Sequence, residues 1–499
     1  MDRSKIAQAE ASNGSSFLQK KEPDKIRSLC HDGSVEKIGI AFDKGTLILH
    51  GLPESLGEEL PDTRWDPRTR CFRAPALAYR RLIETLRERD LAHEDEARAF
   101  APLPISLKQS LSPRPYQEEA MTAWSNQDSR GTVILPTGSG KTLVAAWLIA
   151  RTQRPTLVHV PTIDLMHQWH QVLSDLFDLS IGLLGGGEKA IEPVTVATYD
   201  SALIHLAQQG NRFGMLVFDE CHHLPGDQFQ HCALGSIAPF RLGLTATPER
   251  DDGRDQLLDT LTGPICYRAS IGELEGNTLS PYQVETVEID MTEDEREQYD
   301  EARGRYIDFL RSSNINMSHP QGWRHFLFQT SQSPTGREAF KAYRLQKKLS
   351  QAASAKEAQV WRLLQKHHED RIILFTQDNE MAYRLGRAFL LPVLTHQTKP
   401  KEREAFLSAF REGRYRMLVT SKVLNEGVDV PEANVANIVS GSGRVREHVQ
   451  RLGRILRARP GKEAMLYELI SRNTGEQYVN QRRRQHDAYQ KSGSNQSEG

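Results

Sequence analysis

The stretch Leu135-Pro136-Thr137-Gly138-Ser139-Gly140-Lys141-Thr142 constrains this chain more than any other. An apolar run, Thr132-Val133-Ile134-Leu135, leads into it, and a helical pattern from Leu143 to Ile149 leaves it. Strand, glycine-bearing turn, Gly-Lys-Thr and helix form the layout of a phosphate-binding loop. Gly138 and Gly140 let the backbone wrap closely, so that amide N–H groups and a helix N-terminus point at phosphate oxygens. Lys141 adds a point charge, Thr142 offers a hydroxyl to Mg²⁺, and Pro136, Thr137 and Ser139 complete the loop. The general pattern opens with glycine, and Leu135 stands in that place.

The chain alternates strand and helix beyond this loop. Thr156–Val160, Val194–Thr198, Met215–Phe218 and Arg241–Pro248 read as short buried strands, with a helix over Ile163–Phe177. Such a pattern implies an α/β fold, a parallel sheet covered by helices on both faces. Ligands then sit at the carboxyl ends of the strands, where the phosphate loop, Asp219-Glu220 and Thr245-Ala246-Thr247 all fall. Ahead of the loop, Arg114-Pro115-Tyr116-Gln117 opens a helix, and the Gln117 amide has the donor and acceptor to read an adenine edge.

The 499 residues allow roughly three domains. Residues 1–35 are polar and expected to be flexible. Residues 36–100 form a small α+β domain with a hairpin across Asp43-Lys44-Gly45 and an arginine-rich helix from Tyr79. Residues 101–112 are a proline-marked linker, and 113–275 are the first strand–helix domain. Residues 276–355 hold an extended segment and a charged helical insertion opened by Thr292-Glu293-Asp294-Glu295. Residues 356–480 form a second strand–helix domain, and 481–499 a disordered tail.

A formal net charge of -1 places any polyanion-binding surface locally, as in the arginines between Arg64 and Arg89. The cysteines are scattered, without Cys-x-x-Cys spacing, which suits free thiols in a reducing compartment and gives no zinc framework to Cys221-His222-His223; the expected setting is cytoplasmic, nucleoid-associated if the source is prokaryotic. Neither a signal core nor a membrane-length apolar run is present in the sequence.

Taken together, these motifs resemble the superfamily 2 nucleic-acid helicases and translocases, a branch that tolerates Leu135. They stand in family order: Arg114–Gln117, Pro136–Thr142, Val160-Pro161-Thr162, Asp219-Glu220-Cys221-His222, Thr245-Ala246-Thr247, Thr420–Pro431 and Gln450–Arg457. Within that superfamily the chain looks like the XPB-type DNA repair helicases. Trp65-Asp66 and Arg73–Ala76 resemble their damage-recognition domain, Arg250-Asp251-Asp252 their Arg-Glu-Asp element, and residues 292–350 their thumb. Asp251 stands where glutamate is usual, and a plain charged surface turn is the alternative reading of that element.

The resemblance implies two RecA-like domains with ATP and Mg²⁺ between them. Lys141 holds phosphates, Thr142 and Asp219 hold Mg²⁺, and Glu220 is the general base. Arg454 and Arg457 act as arginine fingers beside Gln450, and Gly427 and Asp429 touch nucleotide. It further implies that His222 couples nucleotide state to interdomain contact, that Gly427 and Asp429 also couple the nucleotide to the nucleic-acid groove, and that Thr245 and Thr247 belong to the nucleic-acid and coupling set, with backbone-contacting loops near Thr162, Thr198 and Thr420. The expected activity is 3′–5′ DNA unwinding in repair on single-stranded or forked DNA, with a nuclease or repair complex as partner and no membrane. A duplex translocase of a restriction or defence system, an RNA helicase and a catalytically silent scaffold are the alternatives.

Overall fold

The computed structural model describes residues 37–108, 111–250, 252–274, 282–319, 321–421, 433–440 and 464–477. The expected flexible start, the tail, Asp251, Gly427, Asp429, Gln450, Arg454 and Arg457 lie outside the described residues. By its internal contacts the chain divides into two units.

The first unit is built on a five-stranded sheet in the order Arg64–Asp66, Cys71–Pro75, Thr46–His50, Ile38–Asp43, His93–Asp95. The hairpin turns at Lys44 and Gly45, both at positive φ, as the Asp-Lys-Gly signal requires. Leu82, Ile83 and Leu86 of the helix Tyr79–Glu88 pack on the sheet, and its arginines stay outward. This unit is not continuous in sequence. Residues 204–214 and 231–239 belong to it, with Ala99 N–H donating to the Asn211 carbonyl and Ile237 entering the core. That inclusion was invisible in the sequence, because Ile237 has no local pattern to mark it.

The second unit carries two sheets. The larger runs Ile265–Arg268, Arg130–Ile134, Phe240–Thr245, Met215–Asp219, Thr156–Val160, Val194–Thr198, Ile181–Gly185, Glu188–Ala190. All pairings are parallel except the last. Register sets the ligand edge. Asp219 lies opposite Leu244, Thr245 opposite Ile134, and Thr198 opposite Val160, so the loops that follow these strands leave from one line. Fully buried Val158, Val196, Val217 and Leu242, in register on one face, and buried Ile134, Leu157, Ala197 and Phe218 on the other make the strands apolar on both faces, the mark of a covered parallel sheet.

The other sheet is wholly parallel, in the order Tyr282–Ile289, Ala464–Ser471, Val435–Ile438, Ile372–Phe375, Met417–Thr420, Val393–Leu394. Here the structure corrects the sequence reading. The segment Tyr282–Ile289, expected as part of the linker, is the edge strand of this sheet, paired along its length with Ala464–Ser471. Partners almost two hundred residues apart leave no local signal.

Thr292 caps the helix Glu293–Ser312 as expected, with the Thr292 hydroxyl accepting from Glu295 N–H. Two further helices follow, Gly322–Gln332 and Pro334–Gln351. Tyr306, Ile315 and Phe326 form the small core of this insertion. The chain breaks at Ala352-Ala353 before the helix Ser354–Lys366, whose Lys356 is fully buried. The Lys356 ammonium donates to the Val439 carbonyl at 3.0 Å and to Glu476 Oε2 at 2.8 Å. Removing one partner of a buried ion pair leaves an uncompensated charge. We therefore expect Glu476→Ala to lower stability by about 3–5 kcal/mol in urea unfolding, and Lys356→Met to cost clearly less.

Candidate active site

The loop between Ile134 and Lys141 is shaped by two glycines in left-handed conformation, Gly138 at φ 86° and Gly140 at φ 83°. Gly140 caps the helix Lys141–Thr152. A Cβ there would come within 2.7 Å of Gln117 Nε2, so both backbone and space call for glycine. Lys141 Nζ donates to the Leu135 and Pro136 carbonyls at 3.2 and 3.4 Å, and Ser139 Oγ donates to the Pro136 carbonyl at 2.7 Å. Among the described residues the Thr137 hydroxyl is buried without a hydrogen-bond partner.

Two side chains hold this loop from the preceding helix, Pro115–Asn126. Tyr116 OH and Gln117 Nε2 both donate to the Ser139 carbonyl, at 2.5 and 3.0 Å. Gln117 Oε1 accepts from the Arg114 N–H at 2.9 Å, and Gln117 is only 3% exposed. Its amide is thus turned into the protein, toward the phosphate loop and its own helix start, while the Arg114 side chain is exposed.

Asp219 ends its strand with its carboxylate buried. Oδ2 accepts from Trp169 Nε1 at 2.7 Å and Oδ1 from the Glu220 N–H at 3.0 Å, while Tyr199 OH donates to the Asp219 carbonyl at 3.0 Å. Burial pushes Asp219 up from the ordinary carboxylate range and the neighbouring Glu220 charge adds to this. Lys141 and the Trp169 hydrogen bond pull it back. Trp169 and Tyr199 were not legible as site residues. The signal available was only their place in the helix after Thr162 and just after Thr198.

Glu220 takes a left-handed backbone, φ 47°, which costs a non-glycine residue and turns the chain sharply at the strand end. Its Oε2 lies 3.4 Å from His222 Nδ1 and 3.5 Å from Thr245 Oγ1, and His222 Nδ1 is 3.0 Å from Thr245 Oγ1. Thr245 Oγ1 accepts from the Thr247 N–H at 3.2 Å. Arg250 closes the cluster: Nη1 donates to the His222 carbonyl at 2.5 Å, while Nε and Nη2 grip Asp252 at 2.8 and 2.6 Å. That grip holds Asp252 down at about 2. Arg250 is therefore a tie to the Asp-Glu-Cys-His turn, and Cys221, fully buried with its thiol pushed up by burial, is packing in that turn.

The threonines expected near nucleic acid are spent internally. Thr162 Oγ1 accepts from the Leu165 N–H at 3.2 Å as a helix cap. Thr198 Oγ1 bonds Ser201 at 2.9 and 3.2 Å, and Thr420 Oγ1 donates to the Ser421 carbonyl at 3.1 Å. Thr198 and Thr420 are buried, so their hydroxyls are not presented to a ligand at the surface.

The oxygen donors at this edge, the Asp219 carboxylate and the half-buried Thr142 hydroxyl, suit a hard divalent cation such as Mg²⁺. The glycine cradle and the buried, unpartnered Thr137 hydroxyl suit phosphate oxygens. A phosphate loop facing adjacent carboxylates across a parallel sheet edge defines the class: a P-loop nucleoside triphosphatase with a helicase-type core.

Comparison with known proteins narrows the class. Residues 40–97 match the Xeroderma pigmentosum group B helicase damage recognition domain, 340–491 the ERCC3/RAD25/XPB C-terminal helicase, and 110–250 the type III restriction enzyme res subunit. The chain is 38% identical over 425 residues to the DNA 3'-5' translocase XPB2 of Sulfurisphaera tokodaii, covering 85% of this chain and 96% of that one. It is 33% identical to the DNA 3'-5' helicase XPB of Mycobacterium tuberculosis, covering 74% of this chain and 63% of that one. A solved structure of Saccharomyces cerevisiae Dbp5 with RNA and ADP BeF3 shares the fold, with a TM-score of 0.51 and 15% identity over 76% of this chain and 88% of that one. The chain belongs to the XPB family of superfamily 2 helicases, ATP-hydrolysing enzymes.

Because Trp169 is the side-chain donor on Asp219 Oδ2, Trp169→Phe should lower ATP turnover roughly ten-fold at saturating Mg²⁺, the loss expected for one hydrogen bond to a charged group. A coupled-enzyme assay checks this. Gly140→Ala should lose about 1–2 kcal/mol of stability from its left-handed backbone, and nucleotide binding with it, read by denaturation and by ATP titration.

Proposed function

We propose that this protein couples ATP hydrolysis to 3′–5′ movement along DNA and separates strands during DNA repair. The observation that carries this is the meeting of Lys141, Asp219, Glu220 and Thr245 at one sheet edge, in an XPB-family chain with a second, wholly parallel sheet.

Each residue has a part. The loop amides and Lys141 would hold the phosphates of ATP, and Thr142 with Asp219, the latter through water, would hold Mg²⁺, which would supply charge neutralisation on those phosphates. Glu220 takes the proton of the attacking water, its carboxylate placed by the strained turn and by His222 and Thr245. His222 and Thr247 pass the state of Glu220 on, since both meet Thr245 Oγ1. By the resemblance of their motifs, Arg454 and Arg457 with Gln450 are assigned the arginine-finger role, and Gly427 and Asp429 a nucleotide-binding role; all five lie outside the described residues. ATP then favours closure of the two sheets and hydrolysis lets them part, which steps the protein along a strand. Single-stranded or forked DNA is the substrate, and a nuclease or repair complex the working partner.

The second reading is translocation on duplex DNA with little unwinding. It is favoured by the name of the Sulfurisphaera tokodaii relative, a DNA 3'-5' translocase that this chain matches over 96% of its length. Steady-state ATP hydrolysis with single-stranded, forked and blunt duplex DNA and with RNA separates the two. We expect single-stranded or forked DNA to stimulate turnover most, and Glu220→Gln to retain ATP binding while losing about 10²–10⁴-fold in turnover. Stimulation by blunt duplex alone would favour the translocase, and a preference for RNA would overturn the assignment to DNA.

A further inference from the structure

A cavity of about 440 Å³ opens between the helix Pro334–Gln351 of the insertion and the helix Asn379–Phe389 of the second sheet. Its size is within the range of roughly 300–1,000 Å³ that small-molecule sites occupy. One wall is aromatic. Trp323, Phe340 and Tyr343 line it, with the Trp323 and Tyr343 rings 5.3 Å apart and Phe340 6.4 Å from Tyr343. Trp323 is 42% exposed, although it touches Phe326, which is fully buried in the insertion core. The rim is cationic: Arg344, Lys347, Lys348 and Arg384 against Asp378 and Glu380.

Both carboxylates are already engaged. Asp378 Oδ1 accepts from the Met381 N–H as a helix cap, and Glu380 pairs with Lys348 at 2.8 Å on the open surface. Arg384 leans on the Ala352 carbonyl at 3.1 Å and on Glu357 at 3.4 Å. Arg344 is exposed and has no ion-pair partner among the described residues. With Glu357 counted against Arg384, the rim keeps a net positive charge of about one beside an open aromatic face, counting seven formal charges at neutral pH.

From this juxtaposition of an open aromatic wall and a cationic rim, we infer that the cavity takes one unpaired nucleobase of a DNA single strand, stacked on Trp323 and Tyr343, with its flanking phosphates on Arg344 and Lys347. A planar π-face is common to all bases, so such a site grips any sequence, and phosphate charge answers the rim. A neutral apolar peptide would fill the wall and bring no counter-charge to the exposed Arg344. The inference rests on the reading of this protein as acting on DNA. It adds a strand-holding site apart from the loops at the strand ends, placed where the insertion can report on strand position to the second sheet.

The test is photo-cross-linking of the full chain to oligothymidylate carrying a single 5-iododeoxyuridine, with adducts mapped by mass spectrometry. The expected result is an adduct on Trp323, Phe340 or Tyr343. Trp323→Ala should remove it and weaken single-strand affinity roughly five- to ten-fold. Arg344→Glu, at an exposed position, should keep the thermal midpoint and also weaken single-strand affinity, with a shallower salt dependence. Adducts confined to the loops at the strand ends, with DNA-stimulated ATP turnover intact, would overturn the pocket and leave the helicase reading standing. Full affinity in both variants would overturn it as well. Iododeoxyuridine monophosphate labelling the pocket as efficiently as the oligonucleotide would assign it to a free nucleotide instead, and an acidic aromatic peptide displacing the oligonucleotide would assign it to a protein partner. If no adduct forms anywhere and no DNA stimulates turnover, the functional reading falls together with the pocket.

Discussion

The Asp219 carboxylate is taken out of water, and the ligand edge of the first sheet is arranged to make that tolerable. Burial alone would favour the protonated acid. Three elements answer it: the indole of Trp169 from the helix after Thr162, the Glu220 N–H from the turn itself, and Lys141 from the phosphate loop. A group balanced in this way is poised for a divalent cation, which adds the charge that the protein supplies only in part. The same balance ties strand, turn and phosphate loop into one unit, so a change at one is felt at the others.

Next to it, Glu220 is held by geometry more than by charge. Its left-handed backbone turns the carboxylate out of the strand direction, and His222 and Thr245 meet it from two different strand ends. Arg250 then fastens the His222 carbonyl to the segment after Thr247. A shift of the Thr245-Ala246-Thr247 turn is thereby a shift at the Glu220 carboxylate, which is the physical basis on which we propose coupling between this turn and the ATP site.

What could be read in the sequence followed how local each cause is. Gly138, Gly140 and Lys141 declare a phosphate loop because the backbone they shape is contiguous. Asp219-Glu220 and Thr245-Ala246-Thr247 declare an edge because parallel strands end where their apolar runs end. Thr292 declared a helix cap within four residues. By contrast, Trp169, Tyr199 and Tyr116 serve the site through contacts 20 or more residues away, and their residue types alone suggest only core. The pairing of Tyr282–Ile289 with Ala464–Ser471 is longer-ranged still. Gln117 shows the remaining difficulty: the motif marks the residue, while packing decides that its amide faces the Ser139 carbonyl.

The central claim is that Asp219 is the carboxylate that holds the catalytic cation, and Mn²⁺ in place of Mg²⁺ gives the most direct access to it. Electron paramagnetic resonance titration of Mn²⁺ in the presence of a non-hydrolysable ATP analogue would compare wild type, Asp219→Asn and Glu220→Gln. The account predicts a protein-bound Mn²⁺ signal in wild type and in Glu220→Gln, and its loss in Asp219→Asn. Equal Mn²⁺ binding by wild type and Asp219→Asn would contradict it.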